Sequence, residues 1–275
     1  LLEREDGLPL RQEKDVAPKE ENLRNHRSGH KQSSKLLKGD SKWAAEVKEE
    51  ERRRNILLTK PHRWHTFNYW DLHAYFSCTL EFGNGRPLYN STQWMRLRDY
   101  YNHFALRDAT EEAAVQDGQM NRTFKYSDEV FDPPVEGFHS SSKFKGRSIR
   151  AKRNIALGEV VNKNCNNTVI FSNGHTFRKF LFGIYQRRSE FDAGTACDVL
   201  KWSWIQKLEN AQDVKPMVIF SPLDVSGLTN DGRDANMDCG VGDEDIAKRD
   251  IVKGEEIICH YLDFASPASW PQLGL

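Results

Sequence analysis

The sequence has no Cys-x-x-Cys pair, no excess of either charge sign, and no apolar run near the ~20 residues that a bilayer-crossing helix needs. Each absence removes a class of protein. Lysine plus arginine total 40 and aspartate plus glutamate total 40 among 275 residues, so no global field draws the chain to nucleic acid or to an anionic membrane. The longest apolar candidates, such as Met217 to Phe220, are strand-sized. The five cysteines, Cys78, Cys165, Cys197, Cys239 and Cys259, are odd in number and far apart, which argues against a zinc cluster, and no metal is expected. His62, His65 and His73 have neither a cysteine nor a paired acid at ligand spacing and read as packing residues. Since the sequence begins with Leu1 rather than methionine, an upstream signal or anchor is left open.

What is present first is charge. Residues 1 to about 40 carry both signs densely with almost no aromatic side chains, too little apolar surface to offset the entropy of ordering, and read as a disordered tail. From 40 to 55 the composition turns helical, with Glu49/Arg53 and Glu50/Arg54 at the i,i+4 spacing of an exposed helix. Trp64, Phe67, Tyr69 and Trp70 then mark the start of packed structure, which puts a boundary near Lys60-Pro61. Trp94, Leu97, Tyr101 and Phe104 form one face of a helix over 93–106, with Ser91 or Thr92 as its cap. Phe177, Phe180, Leu181, Ile184 and Tyr185 do the same for a helix from His175, capped by Ser172 or Asn173.

Around these helices the signals are short and strand-like: Val160-Val161, Thr168 to Phe171, Val199 to Ile205 with Trp202 and Trp204 alternating, Met217 to Phe220, and Glu256 to Tyr261. Many short strands with a few helices predict a β-dominated α+β fold rather than a doubly wound sheet, which removes a Rossmann-type nucleotide site. Three sequons, at Asn90, Asn121 and Asn166, suit the lumen of the secretory pathway and leave nucleus or cytoplasm as the alternative.

One internal echo stands out. Ala151-Lys152-Arg153-Asn154-Ile155-Ala156-Leu157-Gly158-Glu159 returns as Ala247-Lys248-Arg249-Asp250-Ile251-Val252-Lys253-Gly254-Glu255. In each copy an isoleucine anchors to the core, two residues turn, glycine takes a backbone geometry that other residues resist, and a strand leaves from the glutamate. Two copies are too few for a solenoid, which needs about 3 repeats.

These stretches resemble the opening and closing motifs of a SET domain. That family's opening motif, glycine-x-glycine followed by alanine-x-arginine-aspartate-isoleucine and glycine-glutamate, is matched in register by Gly146-Arg147-Ser148 through Glu159. Its central asparagine-histidine-serine with a following proline-asparagine is matched by Asn230-Asp231-Gly232-Arg233-Asp234-Ala235-Asn236, both asparagines keeping their separation. Its closing motif is matched by Ala247 to Glu256 and the tyrosine that follows, Tyr261. The resemblance covers about half of the chain, from Val135 to Phe264. It implies a SET-type β-clip fold over 135–268, preceded by a charged tail over 1–60 and a helical region over 61–134, and followed by a short tail over 269–275.

The resemblance also implies a function: methyl transfer from S-adenosylmethionine to a lysine side chain of a protein substrate. Tyr261 takes the catalytic position, Gly146, Arg147, Ser148, Asn230 and Asp231 surround the cofactor, and Phe264 or Trp270 walls the lysine channel. Departures stand beside these matches. Ser148 replaces a glycine, Asp231 a histidine and Ala235 a proline, and 263–275 lack the three-cysteine zinc motif that many such enzymes add. A SET-like binding or scaffold protein without catalysis is therefore the alternative.

Overall fold

A computed structural model describes residues 41–83, 85–112, 124–125, 129–140, 146–207, 217–239, 244–265 and 267–275. The stretch 1–40, read above as a tail, and Asn121 lie outside the described residues.

Helices α1 (Ser41–Leu58), α2 (Tyr69–Phe76), α3 (Cys78–Gly83) and α4 (Ser91–Glu112) precede the sheets. The expected i,i+4 pairs along α1 are not made. Arg53 instead reaches Asp71 at 2.7 Å and Arg54 the carbonyl of Tyr75 at 3.2 Å, while Glu50 accepts the Thr79 amide and lies 2.8 Å from His73. Docking to α2 and α3 offers partners better fixed than a neighbouring flexible side chain, so α1 is a packed helix rather than a solvated leader. Helix α2 starts at a complete capping box, Asn68 with Asp71. Helix α4 is capped by Asn90, not by Ser91 or Thr92: Asn90 Oδ1 accepts from the Gln93 amide at 2.9 Å and Gln93 Oε1 accepts from the Asn90 amide at 2.9 Å. Its stripe faces inward as the spacing predicts, with Trp94, Leu97 and Tyr101 buried.

The strands form small sheets. Strands β1 (Phe124–Lys125), β2 (Val135–His139), β3 (Arg147–Ala151), β4 (Val160–Lys163) and β5 (Thr168–Phe171) come before helix α5 (Gly174–Gln186), which is capped by Asn173 and buries Phe177, Phe180, Leu181 and Ile184. Helix α6 (Thr195–Trp202) follows, then β6 (Trp204–Lys207), β7 (Met217–Pro222), β8 (Asn230–Asp231), β9 (Met237–Asp238), β10 (Glu244–Ala247) and β11 (Ile258–Cys259). One sheet has the order β1-β5-β7-β6 and another β4-β10-β9; β2 pairs with β3, and β8 with β11 in parallel. The architecture is α+β, as expected, but helix rather than strand makes up the larger share of the described residues.

The strand expected over Val199–Ile205 is a helix as far as Trp202 and a strand only from Trp204. Tertiary contacts override the local β-propensity, because Cys197 is disulfide-bonded to Cys78 and Asp198 is fully buried between arginines. Residues 269–275, expected as a tail, pack on the body: Leu275 is buried, and the Arg178 guanidinium, on α5, binds the carbonyls of Phe67 and Gly274. One continuous apolar cluster joins Phe67, Tyr75 and Trp94 to Ile149, Phe180 and Ile257, so the helices before the sheets share a core with them. The two halves of the internal echo pair through Ile155 and Ile251, both 1% exposed, and Gly158 and Gly254 each adopt positive φ, +81° and +86°.

Candidate functional site

Strand β11 carries the chain to Tyr261, and its parallel partner β8 sets Ile258 beside Asn230 and Cys259 beside Asp231. The central and closing motifs therefore meet. Asp231 Oδ1 accepts the Tyr261 amide at 2.8 Å, and the Tyr261 hydroxyl donates a short hydrogen bond to the carbonyl of Thr229. The Phe264 ring stands edge-on to Tyr261 at 5.7 Å and edge-on to Trp204 at 5.4 Å. Tyr261 keeps 39% of its surface accessible while lining a cavity. Enclosure by protein, and secondarily the Asp231 carboxylate, push its phenol up to about 12, so it stays neutral at ordinary pH.

That cavity measures about 740 Å³. Trp202, Trp204, Tyr261, Phe264 and Trp270 supply aromatic wall, and Tyr69 and Trp70 of α2 complete it from the part of the sequence that no motif explained. Its polar groups include Asn162, whose amide donates to Asp245 at 2.9 Å, and Lys201, whose ammonium burial and Arg147 hold below the usual lysine range. The Cys239–Cys259 disulfide forms part of the lining. Among the described residues no cluster of three or more histidine, cysteine or acidic side chains could hold a metal.

Gly146, Arg147, Ser148, Asn230 and Asp231 are not among the residues that line this cavity; Ser148 and Asn230 meet at Glu256, and Asp231 holds the Tyr261 amide at the cavity's edge. Gly146 has φ +61°, and nothing lies within 4 Å of where a Cβ would stand. Ser148, fully buried, gives its hydroxyl to Glu256 at 2.7 Å. Asn230 Nδ2 donates to the Arg147 carbonyl at 3.1 Å and to Glu256 at 3.3 Å, which orients the amide and leaves Oδ1 as an acceptor. Asn236, 2% exposed, clamps the closing motif by giving Nδ2 to the Glu256 carbonyl at 2.8 Å and taking the Ile258 amide at 2.9 Å. The separation of the two asparagines in the sequence is thus the length of a loop that both of them pin.

Arg147 turns its guanidinium inward. It binds both carboxylate oxygens of Asp198 and the Pro87 carbonyl, with Trp202 beneath it at 5.5 Å. Arg86 binds the same carboxylate at 2.9 Å and Asp192 at 2.5 Å. Burial works against the Arg86 charge, yet Asp198 outweighs it and raises the guanidinium above its ordinary value. Burial and Asp198 likewise raise the Tyr89 phenol. Asp198, Thr229 and both disulfides were missed from the sequence. An aspartate directly before the apolar run that begins at Val199 was the available signal for Asp198, because such a group is buried only when paired.

No family model matches the chain, and no curated protein matches it. Among solved structures, it is similar to ctPRC2 in an autoinhibited conformation bound to S-adenosylmethionine, at 18% identity and TM-score 0.34, covering 51% of this chain and 16% of that one. Polycomb Repressive Complex 2 of Chaetomium thermophilum bound to GSK126 gives 19%, 0.33, 50% and 17%. ATXR5 in complex with mono-methylated histone H3.1 gives 16%, 0.30, 49% and 60%. The chain spans less than two thirds of each, and the TM-scores mark at most a distant likeness.

Proposed function

We propose that the chain is a SET-type methyltransferase that uses S-adenosylmethionine and accepts a lysine side chain of a protein substrate. The observation that carries this reading is Tyr261: a neutral phenol, fixed by Thr229 and Asp231, in the wall of an aromatic cavity and two residues beyond β11, whose partner strand β8 carries Asn230 and Asp231. Bound S-adenosylmethionine supplies an electrophilic methyl group on a sulfonium. Gly146, Arg147, Ser148, Asn230 and Asp231 would hold it: the backbone at Gly146 is open to close approach, and Asn230 Oδ1 can accept from an ammonium. Within the cavity, Phe264, Trp204 and Trp202 provide an apolar sleeve for an alkyl stem. Such walls disfavour the charged ammonium and so favour the free amine that displacement requires. The Tyr261 oxygen, already donating its proton to Thr229, keeps lone pairs with which to orient that amine.

The test is calorimetric titration with S-adenosylmethionine, together with transfer of labelled methyl to protein. Binding is expected in the wild type and in Tyr261→Phe, with transfer lost in the variant. No binding at millimolar cofactor overturns the proposal. The second reading, a SET-like binding protein without catalysis, draws on the way Ser148, Asn230 and Glu256 already satisfy one another. Labelled methyl on any protein of a lysate would refute it.

A further inference from the structure

We infer that Asn90 carries an N-linked glycan and that the sequon at Asn166 does not. Two observations meet here, one about compartment and one about geometry.

The first is redox chemistry. Cys78 and Cys197 pair with Cα atoms 5.3 Å apart, and Cys239 and Cys259 with Cα atoms 6.0 Å apart, both within the range that a disulfide spans without moving the backbone. Cys165 is left reduced and buried. Two bridges across unrelated elements of one core are structural, and structural disulfides persist in oxidising compartments such as the secretory lumen. Oligosaccharide transfer to asparagine takes place in the same pathway.

The second is the geometry of the acceptors. Asn90, Ser91 and Thr92 are all exposed at the start of α4. The cap uses only the Asn90 side-chain oxygen and main chain, and Asn90 Nδ2 makes no protein hydrogen bond among the described residues. In the transfer, Nδ2 forms a bond to the anomeric carbon of a lipid-linked oligosaccharide diphosphate. That carbon's bond to phosphate oxygen breaks, the lipid diphosphate leaves with the electron pair, and the amide gives up one proton. The product keeps Oδ1 and its acceptor lone pairs, so a glycosylated Asn90 still caps the helix.

Asn166 is the contrasting case. Its Oδ1 is enclosed and has no hydrogen-bond partner among the described residues, its main-chain N–H is tied to the Glu129 carbonyl at 3.0 Å, and it follows the buried Cys165. Thr168, the sequon's third residue, is 4% exposed inside β5. Asn166 is itself half-buried, and the hydroxyl that an acceptor sequon must present stands inside the sheet.

The experiment uses the full-length natural protein from its own cells, unfolded in denaturant and alkylated before reduction to record free thiols, the buried one included. It is then treated with peptide-N-glycosidase in heavy-oxygen water and mapped by mass spectrometry. Heavy-oxygen aspartate at 90, unlabelled asparagine at 166 and alkylation before reduction at Cys165 alone are expected. An unmodified Asn90, a labelled 166, or free thiols at the four bridged cysteines overturns the inference. As a control on folding, Asn90→Asp and Thr92→Ala both keep a side-chain cap and both abolish the modification at 90; a label persisting there in either variant also counts against it.

Discussion

Ile155 and Ile251 exchange both of their main-chain hydrogen bonds, N–H to carbonyl in each direction, at 2.9 Å. The exchange extends outward with the symmetry of the sequence echo. The Gly158 amide reaches the Ala247 carbonyl at 2.8 Å and the Gly254 amide reaches the Ala151 carbonyl at 2.9 Å. Asp250 Oδ1 accepts from the Leu157 amide at 2.8 Å, and its counterpart Asn154 accepts from the Lys253 amide at 2.9 Å. Each turn therefore supplies the acceptor that the other turn lacks, which is the physical reason for two similar sequences in one chain.

Replacing Asp250 or Asn154 by alanine is then expected to lower stability by about 1 kcal/mol each, the worth of one such hydrogen bond, whereas Asp250→Asn keeps the acceptor and costs much less. Urea unfolding of the three variants is the check. Equal midpoints for Asp250→Ala and Asp250→Asn would show that the reciprocal caps contribute nothing.

Asp198 has no exposed surface and faces two guanidinium groups, Arg86 and Arg147. Asp198→Asn leaves Arg147 without a carboxylate among the described residues, while Arg86 keeps Asp192, and is expected to cost about 3 kcal/mol. Because Arg147 lies in the opening motif, cofactor binding should weaken in the same variant. Thermal unfolding measures the first effect, and a melting temperature unchanged from wild type would sink it.

The two disulfides should differ in worth. Cys78–Cys197 closes a separation of 119 residues and Cys239–Cys259 one of 20. In the chain-entropy account, removing the longer bridge costs about 1–2 kcal/mol more than removing the shorter. Paired serine substitutions compared in denaturant test this; a larger loss from the shorter bridge would mean that local strain or the cavity wall, rather than loop entropy, sets the order.

Ionisation of Tyr261 carries a pH signature. Its phenol sits near 12 in the folded protein against 10.0 for the ordinary group, so the folded state holds a proton that the unfolded state has released. This contribution to stability is complete below about pH 10 and is lost as pH rises from about 10 to about 12. Tyr75, raised to about 12 by burial, behaves alike. Tyr261→Phe should flatten the alkaline fall in stability, and an unaltered slope in the variant would show that the shift is absent.

The cap of α5, the inward stripe of α4, the two glycine turns of the echo and the spacing from Asn230 to Asn236 were legible in the sequence. Each is encoded within about a dozen neighbouring residues by side-chain period, by a capping side chain or by a glycine of positive φ. The sequence by itself therefore determined the α+β class and the stretch in which the candidate site lies. Only the tertiary structure decided that Val199–Trp202 is helical, which cysteines pair, that Arg147 turns to Asp198, and that Tyr69 and Trp70 help enclose a cavity shared with Tyr261. Those outcomes depend on contacts between residues far apart in the chain, where packing and the pairing of buried charge select one partner among several that local pattern leaves equivalent.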